Sequence, residues 1–170
     1  MNLSFSKRGW DGTSWEEDVL AAETMQFGGI ELYNPQDSEE MTGRSGPFHK
    51  YAIASTIRDL HARKLSIPCI DTDCDLSGED EYGRIRRAVE LAHDAQIPFV
   101  GVCASGDSEA NVRACLDLIL PKAAEQRVTV LIRTTGIYAY TERLRMLMDD
   151  YACDELGALW VMHDPYRVFG

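Results

Sequence analysis

Phe99-Val100-Gly101-Val102-Cys103 and Val128-Thr129-Val130-Leu131-Ile132 bracket a segment in which Val112, Leu116, Ile119 and Ala123 recur every three or four residues. Apolar runs without polar alternation suit strands buried on both faces of a parallel sheet. A single apolar stripe between them suits a crossover helix. The stretch therefore reads as strand, helix, strand, with Pro121 predicted to kink or end the helix.

The same unit recurs in both directions. Runs at Leu3 to Phe5, Ile30 to Leu32, Ile67 to Ile70 and Ala158 to Met162 complete a series whose members begin 27 to 37 residues apart. The segments between them keep helical spacing: Trp15, Val19, Ala22; Ile53, Ile57, Leu60; Tyr82, Ile85, Val89; Leu144, Leu147, Tyr151. Ser14-x-x-Glu17 forms a capping box before the first helix, and Gly28-Gly29 stands where a left-handed residue would end it. Strict alternation implies a parallel sheet with right-handed crossovers, either doubly wound or barrel-forming. The turn Ser6-Lys7-Arg8-Gly9-Trp10-Asp11-Gly12 has neither G-x-G-x-x-G spacing nor a Walker lysine-serine pair, so the dinucleotide and P-loop readings lose their best evidence. What remains is α/β, a parallel (β/α) barrel of TIM type. It is incomplete at about six βα units, because an eight-unit barrel takes about 250 residues. Residues 1–170 are expected to form one partial-barrel domain.

Composition narrows the setting. The chain of 170 residues is long enough for one core without a disulfide or metal staple. Its five cysteines are odd in number and form no C-x-x-C pair, so they read as reduced thiols. With no leader at Met1 to Trp10 and no long apolar window, the expectation is a cytoplasmic protein that neither is secreted nor spans a membrane. A net charge of -11 disfavours nucleic acid, and the cluster Arg84, Arg86, Arg87 is answered by Glu79, Asp80, Glu81 and Glu90.

Reactive groups of such a barrel sit at the C-terminal ends of its strands. Asp71-Thr72-Asp73-Cys74-Asp75 starts like a calcium loop, but Leu76 stands where glycine is required and Tyr82 where glutamate is required. Glu31, a carboxylate inside an apolar strand, either points into the site as a catalytic group or pairs with a neighbouring strand. His163 beside Asp164 is a proton-transfer or ligand pair, or a plain polar strand end. Trp10 offers a face for sugar stacking from its loop. Whether Glu31, Asp71 and His163 converge decides if they form one acid–base site.

These strand ends resemble the sugar phosphate isomerase/epimerase family of xylose isomerase-like TIM barrels. The resemblance rests on Gly29-Ile30-Glu31-Leu32, the run ending near Asp71-Thr72, Arg87-Ala88-Val89-Glu90-Leu91-Ala92, and Val130-Leu131-Ile132-Arg133-Thr134-Thr135-Gly136. The closing run Leu159-Trp160-Val161-Met162-His163-Asp164-Pro165-Tyr166-Arg167 adds to it. It implies metal-assisted proton or hydride transfer on small polyhydroxy keto or aldo substrates, with a divalent manganese, magnesium or cobalt ion at the barrel mouth. Where the family places a strand-five glutamate, a strand-six aspartate and a substrate histidine, this chain has Arg133, Val161 and Asp164, so no metal ligand is assigned.

On that basis Glu31 and His163 are the expected catalytic residues. Trp10, Arg133, Asp164 and Arg167 are the expected contacts to a sugar or sugar phosphate. The alternative is a non-catalytic degenerate barrel for ligand binding or assembly, in which Arg133 pairs with Asp164 or holds an anion. A repair-nuclease reading would need metal carboxylates and a basic track, and neither is visible. An open six-stranded sheet exposes edges, which predicts a homo-oligomer or a partner chain completing the barrel.

Overall fold

The computed structural model describes residues 3–10 and 12–169. Six strands, β1 (Ser4–Ser6), β2 (Gly29–Tyr33), β3 (Cys69–Asp75), β4 (Phe99–Cys103), β5 (Thr129–Arg133) and β6 (Leu156–Leu159), form one sheet in sequential order. Every neighbouring pair is parallel. Helices α1 (Trp15–Thr24), α2 (Glu39–Thr42), α3 (Ile53–Ala62), α4 (Tyr82–Asp94), α5 (Glu109–Gln126) and α6 (Thr141–Tyr151) fill the connections. A short α7 (His163–Phe169) follows β6. A strand order that never reverses puts all right-handed crossovers on one side of the sheet, which is the barrel arrangement and not the doubly wound one. Among the described residues β1 and β6 do not pair, so the barrel is partial.

The core lies between the sheet and its helices. Ile30, Leu32, Ile70, Val100, Val102, Val130 and Ile132 point outward onto Val19, Ala22, Ile85, Val89, Leu116, Ile119 and Leu147. The helical stripes read from the sequence are the buried ones, apart from Tyr82, which is exposed at the start of α4, and the half-buried Ile57 and Tyr151.

Several local expectations are corrected. The capping box at Ser14 and Glu17 forms, but the left-handed residue ending α1 is Gln26, not Gly28 or Gly29. The same device recurs: Gln26, Lys64, Gln96 and Arg127 have positive φ. The next residue in each case, Phe27, Leu65, Ile97 or Val128, bonds back to the carbonyl of Ala22, Leu60, Ala92 or Ala123. This is a Schellman-type stop with its apolar anchor, used four times without glycine. Gly29 serves close approach instead, since a Cβ there would lie 2.5 Å from the Ser66 carbonyl oxygen. Pro121 does not end α5, which runs on to Gln126 because Leu120 and Ala123 remain buried on either side of it. Asp71 to Asp75 belong to β3 and not to the loop after it. β6 covers Leu156–Leu159, so Trp160 and Met162 lie beyond it and are exposed.

Candidate functional site at the concave face

Alternation along the strands turns a second set of side chains away from the helices. Glu31 and Tyr33 on β2, Asp71 on β3, Gly101 on β4, Arg133 on β5 and Leu159 on β6 share this concave face. The register sets Asp71 opposite Gly101, Tyr33 opposite Asp71 and Leu159 opposite Arg133. Gly101 makes the arrangement possible. A Cβ on it would come within 2.7 Å of Asp71 Oδ1 and 3.3 Å of Leu159 Cδ2. Its bare backbone lets Arg133 and Asp71 meet across β4.

Arg133 and Asp71 are 5% and 4% exposed. Arg133 Nη1 donates to Asp71 Oδ2 at 3.2 Å, and Nη2 donates to the Thr72 carbonyl. That carbonyl lies where the β3–β4 register slips, between Asp71 and Asp75, an irregularity of the kind that re-aims groups beside functional sites. Asp71 Oδ1 and Arg133 Nε are buried without a hydrogen-bond partner among the described residues. Burial raises the Asp71 carboxyl to about 6, with Glu31 adding to the rise while Arg133, Arg8 and the Thr72 backbone oppose it. Asp71 is therefore mostly ionised at neutral pH yet titrates within reach of it.

Arg8 completes the group. Its Nη1 lies 3.7 Å from Asp71 Oδ2, and its guanidinium stacks over the Tyr33 ring at 5.2 Å. The loop that carries it is anchored on both sides. Lys7 Nζ is held by the buried Asp18 and by the Thr13 carbonyl, and Thr13 Oγ1 donates to Asp18 at 2.7 Å. Gly9, at φ +89, turns the chain immediately after Arg8.

The rim is fixed by two polar clusters. Asn34 N donates to the Asp71 carbonyl and Asn34 Oδ1 accepts from Asp73 N. Arg84 bridges Asp37, Asp73 and Glu81, while Arg87 joins Asp37. Burial opposes ionisation of Asp37, but the bonds from Arg84 and Arg87 outweigh it and hold its carboxyl below the usual range. Asp75 accepts from Ser77 and Ser105, which likewise overcome burial. Of the acidic partners expected for the arginine cluster, Glu79, Asp80, Glu81 and Glu90, ion pairs form with Glu81 and Glu90 among the described residues, and Asp37 and Asp73 take part in addition.

Of the residues singled out from sequence, Glu31 is half-buried on the concave face and close enough to Asp71 to raise its carboxyl. It makes no ion pair among the described residues. Arg133 pairs with Asp71 and not with Asp164, because the open stretch of β3 offers a buried carboxylate and a carbonyl at once. His163 lies on α7, 73% exposed at its side chain, and its Nδ1 is 3.3 Å from Asp164 Oδ1. No contact joins it to Glu31, Asp71 or Arg133 among the described residues. Asp164 and Arg167 line an open hollow of about 290 Å³ with Gly136 and Ala139. Trp10 packs on Phe5 at 5.1 Å, against the helix-side core. The sequence reading missed Arg8 and the enabling role of Gly101; a glycine inside an apolar strand was the available signal for the latter.

Among the described residues no three His, Cys, Asp or Glu side chains are grouped to hold a metal ion. The donor set explains this. Asp71 and Glu31 are two carboxylates, and the Arg133 guanidinium already occupies the first of them. A divalent ion placed there would meet a fixed positive charge. These residues do not fit the divalent metal that the resemblance implies.

No protein-family model matches the chain, and no curated protein matches it in sequence. Solved structures match it in shape. A D-tagatose 3-epimerase-like protein superposes with a TM-score of 0.71 at 14% identity, over 94% of this chain and 64% of its own length. A xylose isomerase domain protein from Planctomyces limnophilus gives 0.66 at 11%, over 94% and 62%. The IolI protein, solved with a bound zinc atom, gives 0.68 at 12%, over 93% and 62%. The chain spans less than two thirds of the length of these proteins. It has the fold of xylose isomerase-like TIM barrels and sugar epimerases, carried by six strands. No helix among the described residues is long and apolar enough to cross a membrane.

Proposed function

We propose that this chain is a sugar (phosphate) isomerase/epimerase-like domain that binds a small polyhydroxy keto or aldo substrate on its concave face. The observation that carries the reading is the meeting of Glu31, Asp71, Arg133 and Arg8 at the C-terminal ends of parallel strands. The fold shared with sugar epimerases supports the substrate class.

Proton transfer next to a carbonyl needs a carboxylate near neutrality to take the proton and a fixed cation for the oxyanion that forms. Asp71, raised to about 6, supplies the first requirement with the Glu31 carboxylate beside it, and Arg8 the second, while Arg133 stays bonded to Asp71 and the Thr72 carbonyl. The carbon-bound proton passes to a carboxylate and the electron pair moves onto the carbonyl oxygen, giving an enediolate held by guanidinium. Reprotonation of the same carbon on the opposite face epimerises the substrate; reprotonation of the former carbonyl carbon, with the neighbouring hydroxyl proton passing to the former carbonyl oxygen, isomerises it. The proposal keeps Glu31 and Arg133 from the sequence reading, adds Asp71 and Arg8, and places no step on His163, Trp10, Asp164 or Arg167. It treats residues 1–170 as one partial-barrel domain, with a second copy or a partner chain over its open side. A monomer by light scattering at micromolar concentration would remove that last part.

The test is proton exchange itself. Ketoses, aldoses and their phosphates are incubated with chelator-stripped protein in D2O, and loss of the carbon-bound proton next to the carbonyl is followed by NMR. Exchange that falls by about 10²-fold or more in Asp71→Asn and Glu31→Gln supports the reading. Background exchange in the wild-type chain, with and without added manganese, refutes it. Binding of a sugar phosphate without exchange would favour the ligand-binding module.

A further inference from the structure

We propose that Arg8 is an anion grip, which makes the concave site selective, without any divalent ion, for open-chain sugars that carry a phosphate or carboxylate group. The inference rests on the reading of the concave face as the ligand site and goes further by naming the residue that chooses among ligands.

The two guanidiniums beside Asp71 are built differently. Arg133 is buried, with a carboxylate and a carbonyl as acceptors. It is committed to the protein. Arg8 has a side chain 55% exposed, and its contact with Asp71, at 3.7 Å, is longer than a hydrogen bond. Among the described residues its guanidinium has no hydrogen-bond acceptor; its other partner is the Tyr33 ring. A planar fork of five donors, held in place by aromatic stacking with its hydrogen bonds unspent, is suited to two oxygens of a phosphate or carboxylate.

The surroundings favour an anion over a cation. The group holds two carboxylates and two guanidiniums, so it carries no surplus negative charge to draw in a divalent ion. Arg133 alone neutralises Asp71 at hydrogen-bond distance. Arg8 is therefore the charge that a ligand can take without leaving a buried carboxylate unpaired. The anchored loop beneath it, with Lys7 held by Asp18 and Thr13, fixes where that charge is offered. The other polar clusters at the rim lack this property, because Arg84 and Arg87 already hold Asp37, and Arg84 holds Asp73 and Glu81 as well.

The experiment is calorimetric titration of the full chain in chelator with four probes: D-fructose 6-phosphate, D-gluconate, inorganic phosphate and D-fructose. The charged sugars are expected to bind at least ten-fold more tightly than fructose. In Arg8→Ala that preference should fall to about two-fold or less with the thermal midpoint unchanged, while Arg8→Lys keeps part of it. The ratio between fructose 6-phosphate and gluconate then identifies which anionic group the site takes. Equal binding of charged and neutral sugars, retention of the preference in Arg8→Ala, a requirement for manganese, or no binding of any probe would overturn the proposal. Proton exchange on neutral sugars without charge preference would sink the grip and leave the isomerase reading standing. Charge-selective binding without exchange would do the reverse.

Discussion

Replacing Arg133 by methionine removes the cation from a carboxylate that stays buried. Arg133 and Asp71 are 5% and 4% exposed, so water cannot make up the loss. Breaking a buried pair by deleting one partner costs about 3–5 kcal/mol, most of it from the uncompensated charge left behind. The size should depend on pH, and the sign follows from linkage. The folded Asp71 carboxyl titrates near 6, above its ordinary 3.8, because burial outweighs Arg133. A carboxyl raised in this way gives the folded state about 3 kcal/mol that is fully present below pH 4 and lost as pH rises through 6. Above that value the wild-type contribution is flat. Removing Arg133 takes away the largest influence that lowers Asp71, so the variant's carboxyl climbs further and continues to lose stability above pH 6, by up to about 1.4 kcal/mol per pH unit. Urea unfolding followed by tryptophan fluorescence at pH 6 and pH 8 tests this. Arg133→Met should be destabilised by about 3 kcal/mol or more at pH 8 and by at least about 1 kcal/mol less at pH 6. The same penalty at both values, or one below about 1 kcal/mol at pH 8, would refute the argument that Arg133 compensates a buried charge.

Tyr138 is fully buried and its hydroxyl has no hydrogen-bond partner among the described residues; burial raises it to about 12. Tyr138→Phe should therefore be neutral or stabilising by chemical denaturation, and a loss above about 1 kcal/mol would mean the hydroxyl is bonded. Gln96 ends α4 in the left-handed region at φ 57. Gln96→Gly is expected to raise stability by about 0.5–1 kcal/mol through relief of Cβ strain, and a fall in the unfolding midpoint would contradict the assignment of that turn.

Much of the fold was legible because burial imposes a period on the sequence. Strands buried on both faces need continuous apolar runs, and the helices over them need one stripe, so six units showed themselves within a few residues of their observed limits. Where the reading slipped, a longer-range contact had decided. Pro121 stays inside α5 because the apolar face continues past it. Helices α1, α3, α4 and α5 end on Gln26, Arg63 with Lys64, Ala95 with Gln96, and Arg127 because the following apolar residue anchors the turn, which removes the need for glycine.

Less of the site was legible. Glu31 stood out as a charge inside an apolar run, and Arg133 because it stands where the resembled family has a strand-five glutamate. Asp71 was named beside Glu31 and His163, but nothing in the sequence joined it to Arg133. The apolar run of its strand stops at Ile70, whereas β3 continues to Asp75. Arg8 carried no signal of its own within the turn Ser6 to Gly12. The sequence by itself determined the repeating architecture and the charged residues placed on the strands, because local periodicity and polarity are properties of neighbouring residues. Only the tertiary structure decided that Arg133 meets Asp71 across 62 residues of chain, that Gly101 clears the space between them, and that Arg8 keeps donors without an acceptor among the described residues. Those facts depend on strand register and on distances between elements, and no period in the sequence encodes either.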